Sequence, residues 1–292
     1  MTGRGFGIAV VFDELLPRVV RELFALITHL GDAGFALAAA ALLYWFADWE
    51  TGDQTRSDRD RGAFAVAAVL GAFALTLALK GLLALPRPPS AIQVGHADGY
   101  GFPSGHAITA TTLWGLLALV VERGTRRTRT LVAAAAVALV ALSRVVIGVH
   151  YVADVVVGVG VGFAYLAVLV RATDWRPSRG FVVAGGLALA ALATNGLTPD
   201  AVATVAGVLG AGATWVALDS RRVALESTPW GRLSPGAAVG GLAVLGAVGY
   251  AGNHLVASLP AVFVLNLLVP MGILALPLVV ERVKSGRSAS PT

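Results

Sequence analysis

Cysteine is missing from the chain, so neither a disulfide nor a thiolate metal site can form. Charge is scarce too: 13% of the residues are Asp, Glu, Lys or Arg, against roughly a quarter in soluble domains. The longest polar stretch, Asp48 to Arg61, is too short to build a core of its own and reads as a flexible cytoplasmic loop. A cleavable leader pattern is not expected either, because Asp13, Glu14 and Glu22 interrupt the N-terminal region and an apolar run follows.

What remains is mostly hydrocarbon, with 57% hydrophobic residues and a mean hydropathy of +0.77. Apolar runs lie near Asp32 to Ala47, Gly62 to Leu85, Ala107 to Val121, Leu131 to Ile147 and Val152 to Val170. Four more follow near Phe181 to Leu197, Ala201 to Leu218, Gly236 to His254 and Pro260 to Val280. Each approaches the roughly 20 residues that a helix needs to cross a bilayer. The expected fold is therefore all-α, a polytopic transmembrane helical bundle of about nine spans.

Loop charges orient such a bundle. Sixteen of the 22 Lys and Arg, including Arg59, Arg61, the run Arg123 to Arg129, Arg171, Arg176, Arg179, Arg282 and Lys284, fall in loops on one side. By the positive-inside rule that side is cytoplasmic, with the C-terminus inside and the N-terminus outside. The cations are scattered over rims and not gathered in a strip, so the high isoelectric point of about 10.1 does not imply nucleic-acid binding. Between Glu14 and His29, Leu15, Val19, Leu23, Leu26 and Ile27 recur at helical spacing, which predicts an amphipathic helix at the outer interface.

Three polar clusters interrupt the apolar first part, and all face the side poor in loop cations. The first runs from Lys80 to Arg87 and Pro88, where Pro86 and Pro88 end a helix and let Arg87 turn inward. Snorkelling to the interface would also explain these cations taken alone. The second is Pro103-Ser104-Gly105-His106. Ser104 suits an N-cap and Gly105 bares its backbone amide, a helix start suited to an anion, although a merely capped helix fits the same residues. His106 stands in that first turn.

The third cluster runs from Ser143 and Arg144 through Gly148 to His150 and Asp154. His150 and Asp154 are four residues apart, so on a helix they share a face and the carboxylate can accept the Nδ1 proton, leaving Nε2 as a nucleophile. A buried histidine satisfied by a carboxylate is the plainer alternative, and Gly148 permits a bend before it. None of the plainer readings accounts for three clusters on one membrane face.

Together, Lys-x6-Arg-Pro, Pro-Ser-Gly-His and Ser-Arg-x5-His-x3-Asp resemble the three signature motifs of the type 2 phosphatidic acid phosphatase (PAP2) superfamily, matching over about residues 80 to 154. That resemblance implies a helical membrane phosphatase in which His150 attacks phosphorus, Asp154 orients it, and His106 protonates the leaving oxygen and then activates water. It gives Lys80, Arg87, Ser104, Gly105 and Arg144 to the phosphoryl oxygens. No metal and no other cofactor is expected, because cations and amides supply the positive charge. Vanadate-dependent haloperoxidases share this motif type, but those considered are soluble.

The expected substrate is a lipid phosphate or isoprenyl pyrophosphate among membrane lipids, cleaved at the outer face of a cell membrane. A lipid phosphotransferase using the same intermediate, or a transporter that binds phosphate without turnover, are the alternatives. Residues 1–170 are expected to be the catalytic membrane domain, with 1–30 interfacial, and residues 171–292 a C-terminal transmembrane extension. In the extension, Gly236 with Gly240 is expected to serve helix packing, as is Gly158 with Gly162 before it. Asn195, Asn253, His254 and Asn266 are expected to be helix contacts. His96 and Asp98, in the loop Ser90 to Tyr100, are expected to be solvent-exposed.

Overall fold

A computed structural model describes residues 6–46, 56–95, 97–225 and 233–288. His96 and most of the loop beginning at Asp48 lie outside them, as do the basic residues Arg4 and Arg232. Among the described residues the regular structure is entirely helical.

The helices are α1 (Phe6–Leu15), α2 (Arg18–Ile27), α3 (Ala33–Phe46), α4 (Arg56–Leu83), α5 (Gly105–Val120) and α6 (Arg126–Val146). They continue with α7 (Val152–Thr173), α8 (Pro177–Asn195), α9 (Pro199–Leu225), α10 (Pro235–Tyr250) and α11 (Leu259–Ser288). Arg56 to Arg61, expected in a flexible loop, form the first turns of α4 instead. Several starts follow local chemistry. Proline opens α8, α9 and α10, at the position where a missing N–H costs nothing. Thr125 caps α6 by accepting the Thr128 amide at 3.1 Å, and Ser234 caps α10 by accepting the Ala237 amide at 3.2 Å.

Among the described residues, seven helices are long and apolar enough to cross a membrane, and eight if the bent pair of α2 and α3 counts as one span. The expected nine is reached only if α5 also crosses, and its 16 residues fall short of the usual length. The amphipathic helix is present as α2, but a 3-10 turn at Thr28–Gly31 carries it into α3 with a bend of 44°. Leu15, Val19, Leu23 and Leu26 face outward. Arg21, on the opposite side, is buried: it donates to the Val146 carbonyl at 3.1 Å and also bonds Asp13 and the Ile92 carbonyl. The N-terminal helices are thereby fastened to the connection between α6 and α7.

One apolar core joins the motif-bearing helices to the later ones. It holds Phe64 to Leu70 of α4, Tyr165 and Leu169 of α7, Phe181 of α8, Trp215 of α9 and Leu274 of α11. Small residues set the closest approaches. A Cβ at Gly162 of α7 would stand 2.7 Å from Thr111 Cβ of α5, and one at Gly158 would stand 2.8 Å from the Ser104 carbonyl, so this glycine pair packs as expected. Gly236 and Gly240 do not: nothing lies within 4 Å of either added Cβ, and Gly241 makes the close approach to Leu276 instead.

Proline inside α11 opens a second kind of contact. Pro277 has no N–H for the Ile273 carbonyl four residues back. Trp45 of α3 fills the gap, its Nε1 donating to that carbonyl at 2.8 Å, while Tyr44 Oη donates to the Leu274 carbonyl at 3.3 Å. The extension is thus latched onto α3.

Candidate active site

All three clusters lie at one end of the bundle, where α4 stops, α5 starts and α6 turns into α7. Helix α4 ends at Leu83, three residues before Pro86, and Ala84 takes a left-handed φ of 47°. Lys80 is therefore helical and Arg87 lies beyond the helix end, as the prolines led one to expect. Arg87 folds back over the site. Its Nε donates to the Asp98 carbonyl at 3.0 Å, and its Nη1 lies 3.2 Å from both the Val149 carbonyl and His150 Nε2.

The second and third clusters are joined through the backbone, the Ser104 amide donating to the Asp154 carbonyl at 2.9 Å. Ser104 occupies the N-cap position of α5, yet its hydroxyl makes no capping bond, contrary to expectation. The Oγ is buried without a hydrogen-bond partner. Gly105 follows because a Cβ there would come within 2.8 Å of Thr76 Cγ2 on α4. Such close packing brings the bare amide end of α5 beside Lys80.

His150 is not on a helix. It precedes α7, in a connection that Gly148 turns with a φ of +75°. The carboxylate pairing survives this change: Nδ1 lies 3.4 Å from Asp154 Oδ2, which also accepts the Tyr151 amide at 3.0 Å. A guanidinium can only donate, so at the Arg87 contact Nε2 is the acceptor and the ring proton sits on Nδ1, toward Asp154. Both residues are buried, His150 at 1% exposure and Asp154 at 0%. Burial, reinforced by the Arg144, Arg87 and Lys80 cations, pushes the imidazole well below its ordinary value and keeps it neutral at pH 7.

Arg144 is buried as well. One of its nitrogens donates to Thr28 Oγ1 at 2.7 Å, while its Nε has no hydrogen-bond partner. An orphaned guanidinium nitrogen and an orphaned hydroxyl beside a neutral histidine are donors that a tetrahedral oxyanion would satisfy.

The motifs gave no hint of what holds His106. Its Nε2 is 2.5 Å from Asp32 Oδ1, and His29 Nδ1 is 2.5 Å from the other carboxylate oxygen. Asp32 stands at the break between α2 and α3, 74 residues from His106. The available signal was cost, since a carboxylate opens an otherwise apolar run where an ionisable group needs a partner. Thr28 and Arg21 were missed for the same reason of distance in sequence.

Among the other expectations, Asp98 is exposed and lends its carbonyl to Arg87. Asn195 donates to the Leu77 carbonyl at 3.0 Å, and Asn253 donates to Asn266 Oδ1 at 3.0 Å; both are helix contacts as expected.

A bundle of apolar helices in which cations stand around a carboxylate-paired histidine fits a class, the integral-membrane phosphatases. The model of the PAP2 superfamily matches residues 61–178, so this segment of the chain is a PAP2 superfamily domain. A lipid A 1-phosphatase from Rhizobium etli is 28% identical over 177 residues, covering 53% of this chain and 73% of the relative. A PAP2-type transmembrane phosphatidylglycerolphosphate phosphatase from Bacillus subtilis, known from a crystal structure, is 25% identical with a TM-score of 0.48, covering 58% of this chain and 83% of that one. The protein is a multi-pass membrane protein carrying a phosphatase domain, and both relatives act on lipids.

Proposed function

We propose that the protein hydrolyses a lipid phosphate or isoprenyl pyrophosphate at the extracytoplasmic face, through a phosphohistidine on His150. The carrying observation is the tautomer: Arg87 at one nitrogen and Asp154 at the other leave Nε2 with the lone pair. In the first step Nε2 attacks phosphorus in line, the bond to the leaving oxygen breaks, and His106 gives that oxygen a proton. In the second step His106 takes a proton from water, the resulting hydroxide displaces His150, and phosphate leaves with Nε2 restored.

Asp32 is a positioning residue here. By holding Nε2–H of His106, it leaves Nδ1 to exchange the proton with the leaving oxygen and then with water. Lys80, Arg87, Arg144, the Ser104 hydroxyl and the Gly105 amide hold the phosphoryl oxygens, and their charge stands in for a metal ion. Residues 1–170 carry this chemistry, and residues 171–292 are the extension. The outward orientation is supported by the loop cations, which cluster at the opposite helix ends.

The test is a phosphate-release screen of purified protein over phosphatidic acid, phosphatidylglycerol phosphate, isoprenyl pyrophosphates and soluble esters, with the His150→Ala variant alongside. Release from a lipid substrate by the wild type and none by the variant is expected. Wild-type turnover by the variant would refute the mechanism, and transfer of phosphate to an acceptor instead of water would make the protein a phosphotransferase.

A further inference from the structure

Beside the catalytic residues lies a cavity of about 840 Å³ that the motifs do not account for. Lys80, Gly105 and His106 line one side, and α9, α10 and α11 supply a large share of the rest beside α3 and α4. We propose that the extension is part of the substrate site, and that this chamber receives the hydrocarbon chain of the lipid phosphate whose head sits at His150. The inference rests on the lipid phosphatase reading and adds where the chain goes.

Three observations favour a chain over a polar occupant. First, the lining changes character with depth. Asn195, Asp200, Asn253 and His254 line it at or just beyond helix ends, whereas Leu70, Leu245, Val269 and Ile273 line it from within their helices. From Lys80 down to Leu70 is ten residues of one helix, about 15 Å, or roughly half of a bilayer's hydrocarbon core. An amphiphile with its phosphate at the mouth and its chain pointing to the midplane matches this gradient.

Second, the far end is closed. Trp45 and Tyr44 bond the Ile273 and Leu274 carbonyls there, and a Cβ at Gly241 of α10 would stand 3.6 Å from the Trp45 ring. Helices α3 and α10 therefore meet at their inner ends, with the chamber between their outer halves. Closure of this kind lets a site measure chain length, which open bilayer cannot do.

Third, the lining is held wide by glycine. An added Cβ at Gly34 of α3 or Gly246 of α10 would have nothing within 4 Å, and at Gly207 of α9 the nearest atom would be 3.7 Å away. These glycines are not forced by backbone contact. Their effect is to leave room in the chamber.

The same openings supply the test, because large side chains there fill the chamber without striking backbone. The Gly246→Trp and Gly34→Phe variants, purified in detergent and checked for wild-type melting, are assayed on hexadecyl phosphate and on p-nitrophenyl phosphate, which has no chain. The ratio of kcat/KM for the long chain to that for the short ester is expected to fall roughly tenfold or more, mainly through KM. A ratio unchanged within about threefold, whether both rates persist or both drop, overturns the proposal.

A second arm does not depend on turnover. Hexadecyl phosphate carrying a diazirine at the chain end is photolysed with the His150→Ala protein. Label on α10 and α11 between Leu242 and Tyr250 or between Asn266 and Ile273 is expected, and label confined to outward-facing surfaces overturns the proposal. Failure of the wild type to hydrolyse either ester would refute the phosphatase reading, while the labelling would still decide whether a chain enters the chamber.

Discussion

The part of the bundle up to α7 and the part from α8 onward bury different things. Every buried charged or hydroxyl side chain among the described residues, from Arg21 and Thr28 through Ser104, Arg144, His150 and Asp154 to Thr173, belongs to the first part. In the later helices Thr214 and Asn266 lie inside α9 and α11 but neither is buried, and apolar residues fill the interior. Ionisable groups are costly inside a membrane and persist where they perform a task. The division therefore separates chemistry from shape. On the proposed reading, helices up to α7 supply the reaction centre and the later ones supply walls around the space next to it.

The sharpest way to break this comparison is to remove the proposed nucleophile. His150→Ala is expected to lower phosphate release by roughly 10⁴-fold or more, whereas no single substitution in α9 to α11 should approach that loss. Next in size is His106→Ala, expected to cost about 10² to 10⁴ in kcat. The loss should be steeper on alkyl phosphates than on p-nitrophenyl phosphate, whose leaving group needs little protonation. A plot of rate against leaving-group basicity checks this.

Asp32→Asn should follow the same leaving-group pattern at a smaller scale, up to roughly 10²-fold, through kcat with KM little changed. Equal losses on both substrates would instead mark Asp32 as a fold residue. Smallest in rate is Trp45→Phe, which strands the carbonyl released by Pro277. It is expected to cost about 1–3 kcal/mol of stability, read as a lower melting temperature in detergent.

The sequence made the reaction centre legible to the extent that its residues were near one another. His150 with Asp154, and Ser104 with Gly105 and His106, were found because short spacings constrain geometry whatever the helix boundaries. One boundary misled: His150 lies in a connection and not on a helix, and its contact with Arg87 could not be seen from helix periodicity. Asp32 was out of reach because its partner is 74 residues away, and only tertiary packing joins them. The span count blurred for a related reason. Helix α5 is short, and α2 bends into α3, so hydropathy alone could not say where a crossing begins. The chamber was not legible at all, since it is made by α3, α4 and the later helices coming together, and glycine in a span reads equally as contact or as space.

The most direct test of the account is to look for phosphate on His150. Wild-type and His106→Ala proteins are mixed with ³²P-labelled lipid phosphate, quenched in base within milliseconds, and mapped by peptide mass spectrometry. The account predicts an acid-labile, base-stable phosphohistidine at His150 in the wild type that is absent from His150→Ala and forms more slowly in His106→Ala, which lacks the acid for the leaving oxygen. Phosphate release with no labelled histidine at any time point, or label on another residue, would contradict it.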